Sequence, residues 1–259
     1  MTETVLVKRD GDVATVILNR PEKLNAISMQ MWTRLEEVAH ELSSDNEIRC
    51  IVLRGAGDKA FSPGADISEF SEHRATAEQA EAYGKLVHGA TGALSNCPIP
   101  TVAMIKGICV GGGMEVASLC DIRICGESSR FGAPVSKLGL VMAYPEISCL
   151  RDLVGPQVAL EILLEARVFD AAEALQKGLV SRIVPDDEVE AEVMATARRI
   201  ADGAPLVHRW HKKFLERLAD PTPLTEDEKK EGYACYDTED FKTGTTAFLG
   251  KKKPEFKGR

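Results

Sequence analysis

Two glycine-bearing stretches hold the residues of this sequence best suited to chemistry. The first is Phe61-Ser-Pro-Gly-Ala65-Asp66-Ile67; the second is Gly111-Gly112-Gly113-Met-Glu115, which closes an apolar run. Glycine permits a sharp turn and a close approach of backbone to ligand. A helix opening at the triple glycine would present free N–H groups, which attract negative charge. Two such groups, one from each stretch, converging on one point would form an oxyanion hole for an enolate or a tetrahedral oxyanion. A single donor of that kind is worth roughly a hundred- to a thousandfold in rate. Glu115, in the first turn of the same helix, is a carboxylate able to move a proton there.

The elements that must position these residues follow from periodicity. Val5 to Val7 and Val13-Ala-Thr-Val-Ile-Leu18, joined by Asp10-Gly11-Asp12, predict a hairpin. Ser28 stands where a cap belongs, ahead of Met31, Trp32, Leu35, Val38 and Leu42 at helical spacing. Ile48 to Leu53 and Thr101 to Ile105 are almost wholly apolar, as strands covered on both faces should be. Residues Glu69 to Ser95 predict one amphipathic helix with Tyr83, Leu86, Val87 and Leu94 on its stripe. Pro145 suits the start of a helix that carries Glu146. Strands and helices alternate to about residue 185, which predicts an α/β core over 1–185; residues 186–259 predict a helical C-terminal region.

Composition narrows the function classes. The chain has 259 residues, 44% hydrophobic and 28% charged, which is ordinary for a globular protein. A net charge of −8 argues against a nucleic-acid partner. Seven cysteines without a CxxC pair predict buried thiols rather than disulfides or metal ligands. No apolar run approaches the roughly 18 residues of a membrane span, and no leader pattern opens the chain, so a cytoplasmic protein without a membrane partner is expected. The glycines miss the spacing of dinucleotide and P-loop binders. No histidine falls in either stretch and no Gly-x-Ser-x-Gly elbow occurs, which argues against a Ser-His-Asp hydrolase. No metal and no permanently bound cofactor is expected.

With these motifs in place, the chain resembles the crotonase, or enoyl-CoA hydratase/isomerase, superfamily along nearly its whole length. The matching text is Leu18-Asn-Arg-Pro21 with Leu24-Asn-Ala26, Phe61 to Ile67, Gly111-Gly-Gly-Met-Glu-Val-Ala-Ser-Leu-Cys-Asp121 and Phe131-Gly-Ala-Pro134. It continues in Ala172-Glu-Ala-Leu-Gln-Lys-Gly-Leu-Val180 and Thr246-Ala-Phe-Leu-Gly-Lys-Lys-Lys-Pro-Glu-Phe256. The resemblance implies a crotonase-like spiral of ββα units with a helical C-terminal trimerisation region, assembled as a homotrimer or a hexameric dimer of trimers. It implies an acyl-CoA substrate, with coenzyme A entering as part of that substrate. The oxyanion-hole donors would be the N–H groups of Ala65 and Gly112. Ala26, Ala65, Asp66 and Ile67 would lie along the CoA, and Lys251 would approach its phosphates.

Hydratases of this family use two glutamates. The first matches Glu115, but the place of the second, after the proline of Phe131-Gly-Ala-Pro134, is Val135, which cannot carry a proton. Tyr144-Pro145-Glu146 lies further along the segment that lines the acyl end of the family's pocket. Glu146 is therefore a candidate second carboxylate and Tyr144 a candidate donor. One carboxylate suffices for a proton shift along an enoyl thioester, so double-bond isomerisation stands beside hydration and dehydration. Decarboxylation, thioester hydrolysis and a non-catalytic acyl-CoA-binding trimer are the alternatives. Each residue also has a plain structural role to set against this. Glu115 and Glu146 suit first helical turns for dipole reasons, Asp66 suits a cap, Tyr144 suits an apolar wall, and Lys251-Lys-Lys253 suits a solvated tail.

Overall fold

The chain winds through two sheets and, from β3 to β8, gives one strand to each in turn. The computed structural model describes residues 3–259. β1 (Val5–Asp10) and β2 (Val13–Leu18) form the expected antiparallel hairpin, with Val5 opposite Leu18. α1 (Met29–Ser43) follows, and the Ser28 hydroxyl accepts the Met31 N–H at 3.3 Å as its cap. Next come β3 (Cys50–Gly55), β4 (Ala60–Ser62), α2 (Phe70–His73) and α3 (Ala77–Ser95). The next turn is β5 (Thr101–Ile105), β6 (Ile108–Val110) and α4 (Gly112–Ser118), followed by β7 (Ile122–Gly126) and β8 (Arg130–Gly132). α5 (Tyr144–Val154), α6 (Pro156–Glu165), β9 (Phe169–Asp170), α7 (Ala171–Gln176) and β10 (Arg182–Val184) close the spiral. α8 (Val189–Ala201), α9 (Pro205–Leu218), α10 (Glu226–Glu231) and α11 (Glu239–Leu249) complete the chain.

The large sheet runs β1-β2-β3-β5-β7-β10 and the small one β4-β6-β8-β9. From β3 to β8 each turn thus adds one strand to the large sheet and one to the small, then crosses back through helix. From β2 to β10 the large sheet is parallel, which is why β3 and β5 are apolar on both faces. One face packs with the small sheet, α1 and α3 through Leu18, Trp32, Leu35, Leu53, Phe61 and Phe131. The other packs against α8, where Val189, Val193 and Ala197 meet Val52, Val102 and Ile124.

One expected helix is broken. The single helix over Glu69 to Ser95 is interrupted: a 3-10 turn (Ile67–Glu69) leads into α2, and α3 starts afresh at Ala77. Arg74 leaves the helical region at φ −139°, and the Thr76 hydroxyl accepts the Gln79 N–H at 3.2 Å as a new cap. α8, the first helix of residues 186–259, packs on the large sheet. Among the described residues no helix is long and apolar enough to cross a membrane.

Candidate active site

The first loop leaves β4 at Ser62 and turns at Gly64, whose φ of +104° only glycine adopts easily. The Ile27 N–H donates to Gly64 O at 2.8 Å, and the Asp66 N–H donates to Ile27 O at 2.9 Å. This bridge fixes the backbone on both sides of Ala65 and leaves its N–H outside the pairing. Asp66 is buried and accepts from the Ser68 hydroxyl at 2.6 Å and from Arg20 at 2.9 Å. These partners, the Ser68 hydroxyl foremost, hold its carboxyl below the usual range against the opposing cost of burial. Arg20 also donates to Ala26 O at 2.8 Å, so Ala26, Asp66 and the loop form one braced unit.

The second loop leaves β6 and opens α4. Gly111 sits at φ +55° and its N–H donates to Gly132 O at 2.8 Å. Gly113 has no room for a side chain, because a Cβ there would overlap the Ser62 carbonyl of the first loop. A Cβ on Gly64 would come 2.8 Å from the Gly112 nitrogen, and one on Gly112 would lie 3.6 Å from the Ala65 nitrogen. The two N–H groups predicted as a pair are therefore neighbours. Among the described residues no backbone or side-chain acceptor takes either of them.

Both border one cavity of about 170 Å³, whose walls include Trp32, Val135, Met142, Glu115 and Glu146. Glu115 is 7% exposed. Burial, with a further contribution from the negative Glu146, pushes its carboxyl up to about 8. A group so placed exchanges a proton near neutral pH, as an acid or base at this point must. Glu146 has its carboxylate on the Ala143 N–H, closing the first turn of α5, and lies 3.8 Å from His88 Nε2. A larger cleft of about 1190 Å³ between α3, α5 and α9 also touches Glu115, but it contains neither Ala65 nor Gly112.

Other predicted residues are placed less closely. Ile67 edges the cavity and is half exposed. Tyr144 is 92% exposed and does not border the cavity, so the structure does not bring it to Glu115. Lys251 is exposed at the end of α11, in the left-handed region at φ 50°. Two residues absent from the sequence argument stand at the site: His88 on α3 beside Glu146, and Arg74 on the cavity wall. The sequence signal for either was only a polar residue within an otherwise amphipathic segment.

Comparison with known proteins identifies the family. The family model described as Enoyl-CoA hydratase/isomerase matches residues 8–259. A probable enoyl-CoA hydratase of Mycobacterium bovis is 35% identical over 260 residues, covering 99% of both chains. The short-chain-enoyl-CoA hydratase of Clostridium acetobutylicum is 34% identical, covering 98% of each. A crystal structure described as an enoyl-CoA hydratase/carnithine racemase from Magnetospirillum magneticum superposes with a TM-score of 0.98 at 50% identity. It covers 100% of this chain and 97% of its own. On its sequence, its two-sheet spiral and these matches, the chain belongs to the enoyl-CoA hydratase/isomerase family.

Proposed function

We propose that this enzyme binds the carbonyl oxygen of an enoyl-CoA thioester between the N–H groups of Ala65 and Gly112 while Glu115 moves a proton along the acyl chain. The observation that carries this is the placement of Glu115. It is a buried carboxyl pushed up to about 8, one helical turn from the Gly112 N–H and on the same cavity. Ionised Glu115 removes a proton from the acyl chain; the electron pair moves to the thioester oxygen, held by the two N–H donors. Return of the same proton at another carbon leaves the double bond shifted. Val135, an apolar residue on the cavity wall, favours this one-carboxylate route over hydration.

Hydration or dehydration is the second reading. The names of the relatives support it, as does Glu146 on the wall shared with Glu115. There Glu146 would hold the water. Ala26, Ala65, Asp66 and Ile67 would face the CoA. Assembly as a trimer, or a hexamer of two trimers, fits the apolar residues exposed on the C-terminal helices, Leu215, Leu218, Phe248 and Leu249 among them. In that assembly Lys251 would meet the CoA phosphates of a neighbouring site.

The test is turnover of paired 2-enoyl- and 3-enoyl-CoA thioesters by the wild type and Glu115→Gln. Interconversion of the pair, lost in Glu115→Gln, supports the proton shift. Formation of 3-hydroxyacyl-CoA without interconversion supports hydration. CoA binding without turnover of either would sink both.

A further inference from the structure

Arg74 lies on the wall of the same cavity as Ala65, Gly112 and Glu115. Its guanidinium stacks on two rings, 4.5 Å from the centroid of Phe70 and 4.9 Å from that of Tyr83. The Nε atom is buried and has no hydrogen-bond partner among the described residues. Stacking favours the charge through the ring faces, but it leaves the buried Nε–H, which lies in the plane of the group, without an acceptor. A buried donor without an acceptor is costly, and a charged one more so.

The nearby carboxylates do not answer this need. Glu69 accepts the Met29 N–H at 2.9 Å, and Asp66 is held by Ser68 and Arg20. Glu146 takes the Ala143 N–H and faces His88. Glu115, pushed up to about 8, is mostly neutral at pH 7. No acidic side chain among the described residues is ion-paired with Arg74. A planar fork of N–H donors in a pocket walled by Trp32, Val87, Val135 and Met142 matches the two oxygens of a carboxylate.

We propose that Arg74 anchors the acyl end of the substrate, and that the preferred substrate is a CoA thioester whose acyl group bears a second carboxylate. This rests on the acyl-CoA reading above and narrows its substrate class. The cavity, about 170 Å³, is close in size to the roughly 150 Å³ apolar cavity known to hold a benzene molecule. A short acyl chain therefore spans it, with the thioester at Ala65 and Gly112 and the carboxylate at Arg74. A cationic acyl end, which the aromatic rings alone would welcome, is repelled by the guanidinium.

The experiment compares kcat/KM for enoyl-CoA thioesters of equal length ending in a methyl group, a carboxylate or a trimethylammonium. The wild type should prefer the carboxylate at least tenfold over the methyl. Arg74→Gln should reduce that ratio at least tenfold, and Arg74→Lys, which keeps the charge but not the planar fork, should restore only part of it. Equal or better use of the neutral or cationic substrate by the wild type overturns the proposal. So does an equal loss on all three CoA thioesters in Arg74→Gln with phosphate-free pantetheine thioesters unaffected, since that marks a contact to the CoA phosphates. If Arg74→Gln does not fold, the wild-type ratio alone decides. If no thioester is turned over, the reaction reading has failed. Calorimetric binding of saturated acyl-CoAs with and without the carboxylate then tests the anchor: a tenfold preference supports it and no preference overturns it.

Discussion

His88 Nε2 lies 3.8 Å from Glu146 Oε1 across the contact of α3 with α5, and it is buried without a hydrogen-bond partner. The other Glu146 oxygen takes the Ala143 N–H. His88 is thus placed beside the second carboxylate of the cavity, where its packing can fix the position of that side chain. Replacing it with alanine should lower kcat by about tenfold, equivalent to roughly 1.4 kcal/mol, with little change in KM. His88→Asn, which keeps a polar side chain, should recover part of the loss. Steady-state kinetics of hydration on the best enoyl-CoA checks this; an unchanged kcat would show that Glu146 does not depend on His88 for its position.

The raised Glu115 distinguishes the two chemistries by pH. A proton shift starts from the carboxylate, so kcat/KM should rise with pH and level off above about 8. If Glu115 instead delivers the proton during addition of water, kcat/KM should fall through the same pH. Glu115→Gln should flatten either profile and lower the plateau by roughly a hundred- to ten-thousandfold.

The same shift has a stability consequence. A carboxyl at 4.5 when unfolded and about 8 when folded binds its proton more tightly in the native state. Stability from this group is therefore full below about pH 4.5 and is lost as pH rises through 8. Glu115→Gln escapes that loss. It should melt at a higher temperature than the wild type at pH 9, by an increment worth on the order of a few kcal/mol, and the two should converge near pH 4. Thermal unfolding across pH measures it.

Much of the site was legible because it depends on local constraints that leave a mark on residue type. Gly64, Gly111 and Gly113 are glycine because backbone comes close or φ is positive, and each loop follows a short, mostly apolar strand. Contacts between distant segments left no such mark. His88 meets Glu146, and Arg74 meets the cavity, only through the placement of α3 beside α5 and α1, and nothing in their own neighbourhoods encodes that. The α8 stripe reads alike whether it covers its own sheet or another chain. Tyr144 stands away from the cavity for a geometric reason: two residues before Glu146 on one helix, it points roughly 200° around the axis. Glu146 faces the cavity, so Tyr144 faces solvent.

Gly112 and Gly113 should separate catalysis from folding. A methyl at Gly112 meets only ordinary contacts, 3.6 Å from the Ala65 nitrogen and 3.7 Å from Trp32, while crowding the space before both N–H groups. Gly112→Ala should fold and lose about a hundredfold in kcat, the scale of one oxyanion donor. A methyl at Gly113 collides with the Ser62 carbonyl of the first loop. Gly113→Ala should lose at least the roughly 1–3 kcal/mol of an overpacked core. Urea unfolding and kinetics on both variants give the contrast.

Asp66 should act on the site through the loop it braces. Its carboxylate gathers the Ser68 hydroxyl, the Ser68 N–H at 3.1 Å and Arg20, and that set lies directly after Ala65. Asp66→Asn removes the charge and leaves Arg20 partly buried without its partner, a loss of roughly 1–3 kcal/mol at neutral pH. Because the folded carboxyl is held below its ordinary 3.8, this stabilisation is present above that pH and lost as pH falls through the lower folded value. The wild type and Asp66→Asn should therefore differ in melting temperature at pH 7 and converge in strong acid. Loosening Ala65 should also lower kcat at neutral pH, because an N–H donor contributes to an oxyanion only where it is held in place. A variant that melted earlier yet kept full kcat would show that the Ala65 loop is braced well enough by the Ile27 bridge alone.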